Sequence, residues 1–277
     1  MSSARILISF LPLLILFSAP FVVSAALCHK KDKAALLEIK AIFGNPAGLS
    51  SWNSKTSCCT WDGISCNATT GRVIDITVFF LNVSAPIPSA LARLTALQSI
   101  NFAYNHLYGT IPPFLGALPD LTFLRLDGNL LTGRIPDTLT VYNLLLTGNN
   151  LSGPLPPSFA HASFGALDLN DNGFSGDASF LFGKDKTLYA LDISGNKFAF
   201  DFGKVELPKD MNILQIDHNM IYGSIPAAAA TRRWLRWNVS YNRLCGPIPQ
   251  GSYVRKYGPS HFNHNKCLCG APLAPCE

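Results

Sequence analysis

Apolar residues along the middle of this chain recur at a spacing that suits neither an amphipathic helix nor a long strand. In LRLDGNLLTGRIP (124–136) they fall at Leu124, Leu126, Leu131 and Ile135, with Asn129 three residues beyond Leu126. Aligned on that asparagine, the phrase returns as INFAYNHLYGTIP (100–112), LLLTGNNLSGPLP (144–156), LDLNDNGFSGDAS (167–179), LDISGNKFAFDFG (191–203), LQIDHNMIYGSIP (214–226) and WNVSYNRLCGPIP (237–249). A degenerate first copy, ITVFFLNVSAPIP (76–88), carries Leu81 where the asparagine belongs.

The anchor positions are 81, 105, 129, 149, 172, 196, 219 and 242, mostly 23 or 24 residues apart. That is the period of leucine-rich repeats. Each Leu-x-Leu reads as a short parallel strand with leucines inward and intervening residues on a concave face. The asparagine side chain bonds backbone where the chain leaves the strand, so stacked copies form a polar ladder. Glycine permits the turn that follows, and proline sets an extended course behind it. One interval is short: from Asn129 to Asn149 it falls to 20, which predicts a truncated back segment after Pro136. The expected fold is an α/β leucine-rich-repeat solenoid of about eight repeats of ~24 residues, with a concave parallel sheet.

The two ends differ from the middle. DKAALLEIKAIF (32–43) has the 3.6-residue apolar period of a helix, suited to covering the open end of a stack. The eight cysteines fall in two groups: Cys28, Cys58, Cys59 and Cys66, then Cys245, Cys267, Cys269 and Cys276. Eight cysteines allow 105 pairings, and pairing within each group leaves about nine. Of these, Cys28–Cys58, Cys59–Cys66, Cys245–Cys267 and Cys269–Cys276 are the expected set. Residues 1–25 have the layout of a secretory signal: Arg5, a long apolar run, then Val23, Ser24 and Ala25. After Leu27 no apolar run is long enough to span a bilayer. The organisation read from these features is a signal peptide (1–25), an N-terminal cysteine-rich cap with a helix (26–73), repeats (74–249) and a C-terminal cysteine-rich cap (250–277).

The caps and repeats together resemble one family. CCTWDGISC with SWN upstream looks like the N-terminal cap of plant extracellular leucine-rich-repeat proteins, and N-x-L-x-G-x-I-P is their repeat subtype. GDASFLFG, FAFDFGKVELPKDM, WNVSYNRLCGPIPQG and HNKCLCGAPLAPC resemble the polygalacturonase-inhibiting proteins of plants. The resemblance implies a secreted, apoplastic or wall-bound inhibitor. Its partners would be fungal or insect endopolygalacturonases, with pectin in the wall as a further contact. Family members usually carry ten repeats, so eight is a departure that bears on partner choice.

The concave positions locate candidate contacts. Four before each anchor stand Thr77, Asn101, Arg125, Leu145, Asp168, Asp192, Gln215 and Asn238; two before stand Phe79, Ala103, Asp127, Thr147, Asn170, Ser194, Asp217 and Ser240. One before stand Phe80, Tyr104, Gly128, Gly148, Asp171, Gly195, His218 and Tyr241. Asp127, Asp168, Asp171, Asp192 and Asp217 gather on one face of a chain whose net charge is +5, or about +4 without the signal. With Arg125, Gln215, His218 and Tyr104 they form the candidate partner-binding set. Phe79, Phe80 and Tyr241 are further aromatic candidates, the two phenylalanines alternatively packing under the cap. Trp234 and Trp237 fall on inward positions and are expected in the core. Asn67, Asn82, Asn150 and Asn238 open N-x-S/T sequons, and a glycan on Asn238 would obstruct the last concave strand.

Other chemistries are weaker. Two neighbouring carboxylates suit a glycosidase, but an open sheet encloses no substrate and no nucleophile–base pair is evident. His261, His264, Cys267 and Cys269 have metal-like spacing, yet cysteines of a secreted chain go to disulfides. No enzyme activity, cofactor, metal or nucleic-acid partner is expected, and the chain is expected to be a monomer. The alternative reading is a leucine-rich-repeat partner of a receptor, or a developmental regulator, without inhibitory activity.

Overall fold

A computed structural model of the chain describes residues 27–277; the signal peptide expected over 1–25 lies outside the described residues. One helix, Lys30–Ile42, opens it and buries Ala35, Leu36 and Ile39. Asp32, in its first turn, is also fully buried. Its Oδ2 accepts from Arg72 Nε and from the Val73 amide, both at 2.9 Å, which ties the helix to the first long strand. Disulfides join Cys28 to Cys58 and Cys59 to Cys66 around stacked Trp52 and Trp61.

The concave sheet has nine strands in chain order. Ile64–Cys66 pairs antiparallel with Val73–Thr77; Ser99–Asn101, Phe123–Arg125, Asn143–Leu145, Ala166–Asp168, Ala190–Asp192, Ile213–Gln215 and Arg236–Asn238 follow in parallel. Register is strict, so Leu124, Leu144, Leu167, Leu191 and Leu214 form one inward column. Those leucines, and Leu126, Leu146, Leu169, Ile193 and Ile216 two positions on, are at most 1 % exposed. No single repeat could remove them from water; stacking does. Trp234 and Trp237 are buried in the same core.

The asparagine ladder explains both the repeat and its exception. Asn149 Nδ2 donates to the carbonyls of Leu126 and Leu146, and its Oδ1 accepts from the Leu131 amide. Two of those three bonds reach back to the preceding repeat. Asn105, Asn129, Asn172, Asn196, Asn219 and Asn242 do the same. The first copy has no repeat before it to hold, so an amide there would lack partners. Leu81 packs against Gly48 of the cap instead, where a Cβ would lie 2.4 Å from its Cδ2. At the other end the ladder runs beyond residue 249: Asn265 bonds Leu244 N and Val239 O, a further rung inside the C-terminal cap. Disulfides Cys245–Cys267 and Cys269–Cys276 close that end.

A second parallel sheet runs beside the first. Tyr108–Gly109, Leu130–Gly133, Asn150–Gly153, Gly173–Gly176 and Lys197–Phe198 form its five strands, and Tyr222–Gly223, Arg243–Pro247 and Cys267–Cys269 form a separate three-stranded parallel sheet. On the back, 3-10 turns such as Pro113–Ala117, Pro157–Ala160 and Ala227–Thr231 complete the repeats. The interval from Asn129 to Asn149 has none: only the Leu139 amide, bonded to Pro136 O, marks a single turn before the strand Asn143–Leu145. The four missing residues are the back turn.

Candidate functional site

The position before each ladder asparagine takes a left-handed backbone. Phe80, Tyr104, Asp171, His218 and Tyr241 have φ between 51° and 56°, and Gly128, Gly148 and Gly195 between 62° and 63°. Glycine enters this region without cost; aromatic side chains do so with strain. These side chains project from the rim of the concave face and lean toward the next repeat. A Cβ on Gly128 would lie 2.6 Å from Tyr104 Cδ1, and one on Gly195 would lie 2.4 Å from Asp171 Oδ1. Glycine at 128 and 195 therefore makes room for Tyr104 and Asp171. Toward the C-terminal end no glycine intervenes, and His218, Tyr241 and His264 stack face to face with centroids 4.1 Å apart.

At the N-terminal end Phe79, Phe80 and Tyr104 form an aromatic cluster, with Phe80 73 % exposed, so the phenylalanines do not pack under the cap. The Arg125 guanidinium sits 5.8 Å from the Phe79 and Tyr104 rings. It also grips Asp127 through Nε at 3.0 Å and Nη2 at 3.0 Å. That hydrogen-bonded carboxylate pushes the Arg125 pKa further up.

The positions two before each anchor are more recessed than alternation alone implies. Ala103, Asp127 and Ser240 are buried, Asp127 only 4 % exposed. Asp127 is therefore sealed by Arg125 and is not a free acid for a partner. Asp217 is also occupied, with Oδ2 2.8 Å from His218 Nδ1. Of the five concave aspartates, Asp168, Asp171 and Asp192 contact no basic side chain in an ion pair among the described residues.

Asp168 and Asp192 are register partners in adjacent strands. Asp168 Oδ1 accepts from Thr147 Oγ1 at 2.7 Å and Asn170 Nδ2 at 2.8 Å. Asp192 Oδ1 accepts from the Ser194 amide and hydroxyl, and its Oδ2 accepts from Gln215 Nε2. Neutral donors thus orient both carboxylates without cancelling their charge. Burial pushes the Asp168 pKa up, the Thr147 bond opposes this, and the Asp192 charge adds to it. Two carboxylates on strands ~4.8 Å apart repel by roughly 3 kcal/mol at an effective dielectric near 20.

One outward column was missed by counting only from the asparagine. The strands open two residues earlier, at Asp75, Ser99, Phe123, Asn143, Ala166, Ala190, Ile213 and Arg236, all in register. Extending the same alternation upstream would have found it. Of the sequons, Asn67, Asn82 and Asn150 are exposed. Asn238 is half-buried on the concave face, its Oδ1 accepting from the Ser240 hydroxyl at 2.9 Å.

Comparison with known proteins fits this architecture. The leucine-rich-repeat N-terminal domain model matches residues 29–67, and the leucine-rich-repeat model matches 96–118, 120–142 and 140–162. A polygalacturonase inhibitor of Pyrus communis is 38 % identical over 332 residues, covering 97 % of this chain and 98 % of its own. Polygalacturonase inhibitor 2 of Arabidopsis thaliana is 36 % identical, covering 91 % and 93 %.

The chain belongs to the polygalacturonase-inhibitor family.

Within that family it is short. The alignment with the Vitis vinifera polygalacturonase inhibitor, 34 % identical, runs over 330 positions and covers all of this chain's 277 residues. The alignment leaves 53 positions, a little over two repeats, without a residue of this chain. The leucine-rich repeat protein FLOR 1 of Arabidopsis thaliana is likewise 36 % identical over 96 % of this chain. Among solved structures, a plant ice-binding protein is similar at 33 % identity and TM-score 0.70, covering 91 % of this chain and 99 % of its own. Among the described residues no helix is long and apolar enough to cross a membrane.

Proposed function

We propose that this protein is a secreted inhibitor of fungal or insect endopolygalacturonases, acting in plant cell-wall defence through its concave face. The observation that carries the reading is the family relationship, at 34–38 % identity to several polygalacturonase inhibitors over most of the chain. The geometry supports it. An enzyme that cleaves polygalacturonate needs basic residues around the cleft that receives a polyanion. A rigid sheet roughly 34 Å long presents uncancelled carboxylates to such a surface, with aromatic groups at both ends. That length suffices for a patch of the ordinary ~800 Å² per partner. Docking there occludes the cleft; the protein itself performs no chemistry.

The test is reducing-sugar release from polygalacturonate by a panel of fungal and insect endopolygalacturonases, with and without the purified protein. Dose-dependent loss of activity with some of the enzymes is the expected result. No effect across the panel from folded, disulfide-bonded protein would shift the reading to a receptor partner or regulator on the same scaffold.

A further inference from the structure

Phe80 stands in a strained turn with its ring open to solvent. Its backbone is left-handed, φ 56°, where Gly128, Gly148 and Gly195 fill the same column freely, and the residue is 73 % exposed. Its aromatic neighbours are occupied. Phe79 and Tyr104 meet edge to face at 5.6 Å, and the Arg125 guanidinium lies 5.8 Å from each. Phe80 stands farther off, 6.1 Å from Phe79 and 6.5 Å from Tyr104, tilted to both. No cation covers it among the described residues. A phenylalanine ring gains nothing from water, so its exposure here calls for a cover.

Asn82 lies two residues on and opens an N-x-S sequon with Ser84. Between them the Leu81 side chain turns inward to Gly48, and the Leu81 and Val83 amides both donate to Asn105 Oδ1 at 3.1 Å. The turn is therefore fixed. Asn82 and Ser84 are exposed, and Asn82 is itself left-handed at φ 56°. Phe80 and Asn82 thus share the outside of one turn, with Cα atoms at most about 7.6 Å apart. The sequons at Asn67, Asn150 and Asn238 have Ser65, Gly148 and Arg236 at the corresponding place. Only at Asn82 does a ring stand beside the attachment point. One face of an N-acetylglucosamine ring is lined with C–H groups of partial positive charge, and an aromatic face is negative.

We propose that Asn82 carries an N-linked glycan whose first N-acetylglucosamine stacks on the Phe80 ring. In the attachment step Asn82 Nδ2 bonds to C1 of the sugar of a lipid-diphosphate-linked oligosaccharide. The C1–oxygen bond to the diphosphate breaks, the lipid diphosphate leaves, and one amide proton is released. The inference rests on the secreted part of the functional reading and not on inhibition. A partner at this end of the concave face meets a sugar over Phe80, with Tyr104 and Arg125 beside it.

The experiment uses the full chain secreted from plant cells that keep their glycans high-mannose, so that an endoglycosidase trims each to one N-acetylglucosamine. Peptide mass spectrometry should find that sugar on Asn82. Ser84→Ala removes the sequon and leaves Asn82 and Phe80 in place; it should lower the thermal midpoint by roughly 2–4 °C. In a Phe80→Ala background the same change should cost no more than about 1 °C. Thr69→Ala, which removes the Asn67 sequon, should act alike in both backgrounds. Proton NMR supplies a second readout: ring protons of the Asn82-linked sugar should be shifted upfield by the aromatic face, and the shift should vanish in Phe80→Ala. That keeps the test decisive where unfolding is irreversible. An Asn82 peptide without sugar, an equal loss from Ser84→Ala with and without Phe80, or no upfield shift overturns the proposal. A chain left in the cytosol with residues 1–25 uncleaved overturns the secreted reading, and the glycan with it.

Discussion

Asp168 and Asp192 face each other across paired strands, held by the Thr147 and Ser194 hydroxyls and by the Asn170 and Gln215 amides, with no cation between them. Asp127 on the same face is paired with Arg125 and Asp217 is bonded to His218, whereas these two, like Asp171, have no ion-pair partner among the described residues. The arrangement favours a partner that brings positive charge, and it weakens the free protein that carries it.

The pH dependence follows from burial of Asp168. Its pKa is raised in the folded state, chiefly by desolvation and further by Asp192 and Asp127. The folded protein therefore holds this proton more tightly than the unfolded chain does. The penalty for ionising it is absent below the unfolded value near 3.9 and grows as pH rises through the interval to the raised folded value. Asp168→Asn should raise the thermal midpoint at pH 7 by roughly 1–3 °C and leave it unchanged near pH 3. A scan at both pH values checks this.

Binding should show the opposite trend. A cationic partner needs Asp168 ionised, so affinity for a bound polygalacturonase should fall as pH drops through the raised pKa. Asp192 and Arg236 contribute charge at the same place. Asp168→Asn should flatten the profile and reduce the salt dependence. Titrations at three pH values and two salt concentrations decide it; an unchanged profile in the variant would remove Asp168 from the contact.

Removing a rung of the ladder should be costly. Asn149→Ala strands the Leu131 amide and the Leu126 and Leu146 carbonyls in the core. A loss of about 2–4 kcal/mol in urea unfolding is expected. Replacing Leu81 by alanine tests the contrasting end, because the Leu81 side chain contributes packing against Gly48 and no ladder bond, while its amide still donates to Asn105; about 1–3 kcal/mol is expected there.

Gly128 and Tyr104 form a linked pair. Gly128→Ala adds a Cβ in a left-handed backbone and drives it into the Tyr104 ring. A loss of at least about 1 kcal/mol should result. Tyr104→Gly relieves the left-handed strain and opens space, so stability should hold or rise by up to about 1 kcal/mol. If Tyr104 is an anchor for the partner, binding falls in the second variant while the fold does not.

The repeat was legible because its cause is periodic. Each rung needs the same leucines and the same asparagine, so the physics repeats and the letters repeat with it. The left-handed column left no such trace, since Phe80, Tyr104, Asp171, His218 and Tyr241 stand in it alongside Gly128, Gly148 and Gly195. Its conformation is set by its place in the turn that leaves the strand, not by its own propensity. The second sheet was hidden for a related reason: strands as short as Tyr108–Gly109 carry no alternation to read. Asn265 escaped because no Leu-x-Leu precedes it, only Phe262. At the site, position was readable and charge state was not. Asp127 and Asp168 stand in different outward columns, and Asp127, the more recessed, is paired with Arg125 two residues before it while Asp168 has no ion-pair partner among the described residues.

The absent back turn between Asn129 and Asn149 has a bearing on how long the molecule lasts outside a cell. Both ends are locked by two disulfides each, so opening cannot readily start at a terminus. Residues 137–142 form a back segment without a 3-10 turn, and the four disulfides all lie outside residues 67–244. A protease should meet its first cut there, leaving two halves that each keep one stapled end.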